Sequence, residues 1–154
     1  MKKSAFILLL ILLLFASCKT KEERLIIGEW KLVDVKKTLE TVTREPPWAD
    51  YLNDDSKSLT ITFNKKKMSI YDTAYELTKK DGLNSDIETG YYVIKNSGVL
   101  TETDLLLLIG QSKSYDFYIV TLEKQNLILK EYLIDGVHSF PPPNYITYIF
   151  KKIK

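Results

Sequence analysis

Cysteine and histidine each occur once in this 154-residue sequence, as Cys18 and His138. A lone cysteine excludes an internal disulfide framework, and the pair together excludes a Cys/His metal centre. His138 stands beside Ser139, but neighbours on an extended chain point to opposite sides and form no nucleophile–base pair. Neither a Gly-x-Ser-x-Gly elbow nor a glycine-rich phosphate loop is present; the 6 glycines are scattered singly, mostly at turns. Asp54-Asp55 and the stretch Asp81 to Asp86 offer oxygen ligands. The second lacks the glutamate and flanking helices of an EF-hand loop, so both read as turns. These absences predict no catalytic residue, no metal and no cofactor. The chain is not expected to be an enzyme.

Long hydrophobic runs are equally scarce, with one exception at the start. Lys2 and Lys3 precede the unbroken apolar stretch Ala5 to Ala16. As a helix this stretch reaches roughly 18 Å, short of the ~30 Å of a bilayer core. It therefore reads as the hydrophobic region of a signal peptide, residues 1–17. The next residues, Phe15-Ala16-Ser17-Cys18, resemble the lipobox of bacterial lipoproteins. That resemblance implies cleavage before Cys18 and lipidation of its amino-terminal residue, with acyl chains that hold the protein on a membrane. Residues 18–24, including Lys19-Thr-Lys-Glu-Glu-Arg24, are charged and aperiodic and read as a solvated tether. The expected location is the outer membrane of a Gram-negative bacterium, lipid-anchored, with the periplasmic and surface faces both open.

Charge of one sign is also missing. Of 22 bases and 20 acids, Lys2 and Lys3 fall in the leader, so the remainder balances. Without a basic field, nucleic acid is excluded as a partner.

What the sequence does have is aromatic and β-branched residues in short stretches, with 10 tyrosines, 6 phenylalanines and 2 tryptophans. Leu59-Thr-Ile-Thr-Phe63 alternates strictly, which puts Leu59, Ile61 and Phe63 on one face. Similar stretches run over 25–37, 67–73, 88–95, 104–109, 115–122, 126–134 and 145–153, separated by turn residues such as Asn96-Ser-Gly98 and Pro141-Pro-Pro143. Eight evenly spaced antiparallel strands remove their edges by closing on themselves. The expectation is an all-β fold, an eight-stranded up-and-down barrel over residues 25–154, with a sandwich as the alternative. One short helix is expected in the first interstrand connection. There prolines 46 and 47 suit an initial turn, and Trp48, Tyr51 and Leu52 share a face.

Ile26-Ile-Gly28-Glu-Trp30-Lys-Leu-Val33 resembles the Gly-x-Trp opening of lipocalins. It is more closely similar to the lipocalin-like domain of small bacterial lipoproteins, in which such a run begins the mature domain. The resemblance implies that Gly28 permits a close approach at the start of the first strand. It also implies that Trp30 plugs the closed end under a basic side chain from the last strand, usually arginine. Here the chain ends Phe150-Lys-Lys-Ile-Lys154, with lysines alone. The resemblance further implies a binding module, with the 48–52 segment as a lid over the open mouth. Trp48, Tyr51 and Leu52 are accordingly the expected ligand contacts. Tyrosines 71, 75, 91, 92, 115, 118, 132, 145 and 148 lie in or beside strands and suit either a lined pocket or cross-strand pairs. A small hydrophobic or aromatic ligand is expected. The alternative is a filled barrel that serves as a protein-interaction or envelope module.

Overall fold

The computed structural model describes residues 21–38, 48–52, 55–65, 73–96, 104–132 and 145–154. Strands β1 (Gly28–Thr38), β2 (Lys57–Asn64), β3 (Ala74–Asp81), β4 (Asn84–Asn96), β5 (Asp104–Gly110), β6 (Ser114–Leu122), β7 (Asn126–Tyr132) and β8 (Tyr145–Lys152) pair in sequence order. Every pair is antiparallel, and β8 returns to β1 to complete a closed barrel. Closure removes the exposed edges that such short strands would leave in an open sheet.

Side chains alternate across the wall as their two-residue period requires. Leu59, Ile61 and Phe63 of β2, Leu106 and Leu108 of β5, Leu127 and Leu129 of β7, and Ile146, Tyr148 and Phe150 of β8 are buried inside. Two irregularities bend the wall. The register slips between Leu32 and Asp34 and between Ile119 and Thr121, and the extra residues, Val33 and Val120, are exposed. Such bulges raise local twist and help a sheet curl shut.

Three features refine or revise the sequence expectation. The third strand is Ala74–Asp81, ending in a two-residue turn where Gly82 takes φ 59; the expected strand over 67–73 lies, except for Thr73, outside the described residues. The helix expected near Trp48 is a 3-10 turn, Ala49–Tyr51. The segment read as a solvated tether carries a helix, α1 (Lys21–Leu25). Cys18, His138, Asp54 and prolines 141–143 lie outside the described residues.

One end of the barrel is capped by α1. Ile26 follows it and is fully buried, and the Trp30 indole Nε1 donates to the Ile26 carbonyl at 2.7 Å. Lys152 closes the same end from β8. Its Nζ lies 5.0 Å from the Trp30 ring centroid and donates to the carbonyls of Leu25 at 3.2 Å and Ile27 at 2.6 Å. Gly28 sits beneath this group at φ 133, where a Cβ would strike the Lys154 carbonyl and come 2.5 Å from Lys152 Cε. A side chain is therefore doubly excluded, by backbone conformation and by space. Gly28, Trp30 and Lys152 thus close this end together.

Candidate functional site: the mouth of the barrel

The opposite end is ringed by the finish of β1, β3, β5 and β7, the start of β2, β4, β6 and β8, and the connection bearing Trp48. Its inner wall is aromatic below and charged above.

Trp48 does not lie over the mouth as a lid. It is buried, and its ring projects among four others: Tyr148 at 4.9 Å, Phe117 at 5.3 Å, Tyr115 at 5.4 Å and Phe150 at 6.3 Å between centroids. All four come from alternating positions of β6 and β8, so the periodicity that directs Phe117 and Tyr148 inward also builds the nest. Tyr51 and Leu52 follow on the 3-10 turn, half-buried and packed against the core. Burial, followed by the charges of Asp81 and Asp86, raises the Tyr51 hydroxyl above its ordinary range. The three residues expected as ligand contacts are therefore all at the mouth, and Trp48 occupies its interior.

Above the nest stands Glu88 of β4. Its two carboxylate oxygens accept separately, from the Tyr75 hydroxyl at 3.0 Å and from the Tyr115 hydroxyl at 3.1 Å. Lys79 Nζ lies 3.9 Å from Glu88 and 4.0 Å from Asp86, with the Lys79 and Glu88 side chains only 15% and 13% exposed. Burial raises both tyrosine hydroxyls far above their ordinary 10.0, and Glu88 adds to each through its charge and its hydrogen bond. Across the barrel the Tyr148 hydroxyl donates to Glu131 at 2.8 Å. A cleft of about 230 Å³ opens beside Glu88, lined by Lys79, Asp86, Glu88, Gln111, Ser112 and Lys113 among others.

Two glycines make this arrangement possible. Gly90 and Gly110 face each other across β4 and β5. A Cβ on Gly90 would fall 2.7 Å from Tyr75 Cε1, and one on Gly110 would fall 2.7 Å from both the Tyr75 hydroxyl and Glu88 Oε1. The bare backbone lets the Tyr75 ring lie flat across the wall and deliver its hydroxyl to Glu88. Strand glycines often mark such close approach.

The sequence pattern puts Tyr75, Tyr115 and Tyr148 in or beside strands without fixing their direction, and it does not single out Glu88 or Lys79. The usable signal was the glycine pair inside two otherwise β-prone stretches. Asp81 and Asp86, considered as oxygen ligands, flank the β3–β4 turn and pair with Lys57 at 3.4 Å and Lys79 at 4.0 Å.

The arrangement sets a packed aromatic interior beneath a carboxylate that borders a polar cleft. Both tyrosine donors are already committed to this carboxylate. Comparison with curated proteins and with solved structures gave no match. The sequence profile of the lipocalin-like domain family matches residues 26–129, from the buried residue under Trp30 to the inward Leu129 of β7. That match spans more than half of the chain and accords with the closed eight-stranded barrel, a fold whose general use is binding: the chain belongs to the lipocalin-like domain family.

Proposed function

We propose that this protein is a membrane-tethered binding module that takes a small hydrophobic or aromatic ligand at the mouth of its barrel. The observation that carries this reading is the placement of Trp48. A ring borne by a connection, not by a strand, fills a nest of four aromatic side chains at the open end. A connection exchanges position at lower cost than a wall strand, because few ladder hydrogen bonds hold it. A ligand ring of similar size can therefore replace the indole on the same partners. The position of α1 at the closed end supports a tether that leaves the mouth facing away from the membrane.

Native mass spectrometry of the protein isolated from its own envelope tests the reading. A retained small molecule that Trp48→Ala, with the four-ring nest vacated, holds at least as tightly supports it. Bare protein in every preparation, together with no binding of simple aromatic alcohols, counts against it.

The second reading is an interaction module with a filled interior. It draws on the outer wall of β4 to β6, where Tyr91, Val93, Leu105, Leu107, Ile109 and Tyr118 form a half-buried apolar stripe. Crosslinking in the envelope from position 107 separates the two: a specific protein adduct there, without any bound small molecule, favours this second role.

A further inference from the structure

We infer that the Glu88 carboxylate is the head-group site of the mouth, and that the ligand it takes is a small aromatic molecule bearing a protonated amine, an arylalkylamine by chemical class. The inference rests on the reading of the mouth as a small-ligand site and adds the charge that the ligand carries.

A carboxylate offers about four acceptor positions. Two on Glu88 are filled by Tyr75 and Tyr115. Lys79 is its ion-pair partner, but at 3.9 Å the amine is beyond hydrogen-bond distance and is shared with Asp86 at 4.0 Å. One cation thus serves two anions loosely, and Glu88 retains acceptor capacity toward the cleft it lines. A ligand ammonium has three donors and reaches hydrogen-bond contact where Lys79 does not.

An anionic head group is poorly served by the same site. Both tyrosine hydroxyls are already donated to Glu88. The lysines facing the cleft are Lys79, which is engaged by two carboxylates, and Lys113 at the β5–β6 turn. Tyr115 joins the charge to the aromatic nest: its hydroxyl is on Glu88 while its ring lies 5.4 Å from Trp48. The cleft of about 230 Å³ is lined mostly by polar side chains and by no ring. It is below the roughly 300–1,000 Å³ that encloses drug-sized ligands. It admits the amine and its side arm, leaving the ligand's ring to Tyr115 and the nest beneath it. The site is purpose-built in the backbone as well, since alanine at Gly110 would intrude on both Glu88 and the Tyr75 hydroxyl.

The test is calorimetric titration of the purified full chain at neutral pH with phenethylamine, 2-phenylethanol and 3-phenylpropionate, which share a ring and differ in charge. The amine is expected to bind at least about tenfold more tightly than the alcohol, and the acid more weakly than either. Glu88→Gln, which keeps the size and an acceptor for one of the two tyrosines, is expected to bring the amine to the level of the alcohol. Lys79→Met is expected to widen the gap by removing the competing cation. Equal affinity of amine and alcohol in the unaltered protein overturns the inference and leaves the aromatic mouth standing. So does a gap that survives Glu88→Gln. Failure of all three probes to bind overturns the mouth reading itself.

Discussion

Lys152 and Trp30 are bound across the closed end of the barrel: the lysine Nζ is 5.0 Å from the ring centroid while it donates to two carbonyls of the chain entering β1. One side chain of the last strand therefore fixes the first strand, its tryptophan and the helix before it. The single Lys152 ammonium reaches Leu25, Ile27 and the indole face together, a compact contact that needs no planar fork.

Lys152→Met keeps the stem and removes the charge, leaving two carbonyls without their donor. A loss of about 2–3 kcal/mol is expected in denaturant unfolding, with an unchanged slope. A loss below about 0.5 kcal/mol would show that the contact is incidental.

Trp48→Ala removes a buried ring from contact with four others, and about 3–5 kcal/mol should be lost. The vacated space is apolar and is expected to take indole, so added indole should raise the melting temperature of the variant more than that of the unaltered protein. Equal shifts in the two proteins would contradict the packing described for Trp48.

The tyrosine pair predicts alkaline behaviour with a definite sign. Tyr75 and Tyr115 hold their protons in the folded state well above the ordinary 10.0. An unfolded chain releases those protons near pH 10.0 while the folded one retains them, so stability present below that pH is lost as pH rises beyond it. Absorbance titration should show two tyrosines ionising only with unfolding. In Glu88→Gln, which removes one contributor but not the burial, both should titrate earlier.

Gly110→Ala tests the construction of the site directly. The new methyl would lie 2.7 Å from both the Tyr75 hydroxyl and Glu88 Oε1, forcing one of them aside. A lowered melting temperature is expected, with the late tyrosine titration shifted toward the ordinary range. Unaltered titration would mean that the wall yields without disturbing the pair.

Much of this architecture is legible in the residues. Leu59, Ile61 and Phe63, and likewise Tyr115, Phe117 and Ile119, face inward as their alternation requires, and turn residues mark most strand ends. The third strand is not legible because Tyr75, Leu77 and Lys79 point inward together. A lysine in that phase breaks the apolar pattern, and its reason, Glu88 across the interior, exists only in three dimensions. The same applies to Trp48: spacing with Tyr51 and Leu52 suggests a surface helix, whereas the ring is drawn into the barrel by partners from β6 and β8. Separate strands supply what the mouth assembles, so no local motif announces it.

A small aromatic molecule received at the open end of this barrel, as proposed, would be reported by Trp48. The two indole N–H resonances report on opposite ends, since Trp30 lies at the closed end with its Nε1 bonded to Ile26 and Trp48 lies at the mouth. Titration with 2-phenylethanol followed by proton–nitrogen correlation spectra should move the Trp48 indole signal progressively and to saturation, with the Trp30 signal fixed. A Trp48 signal that stays in place at saturating probe, or a shift confined to Trp30, would contradict the account.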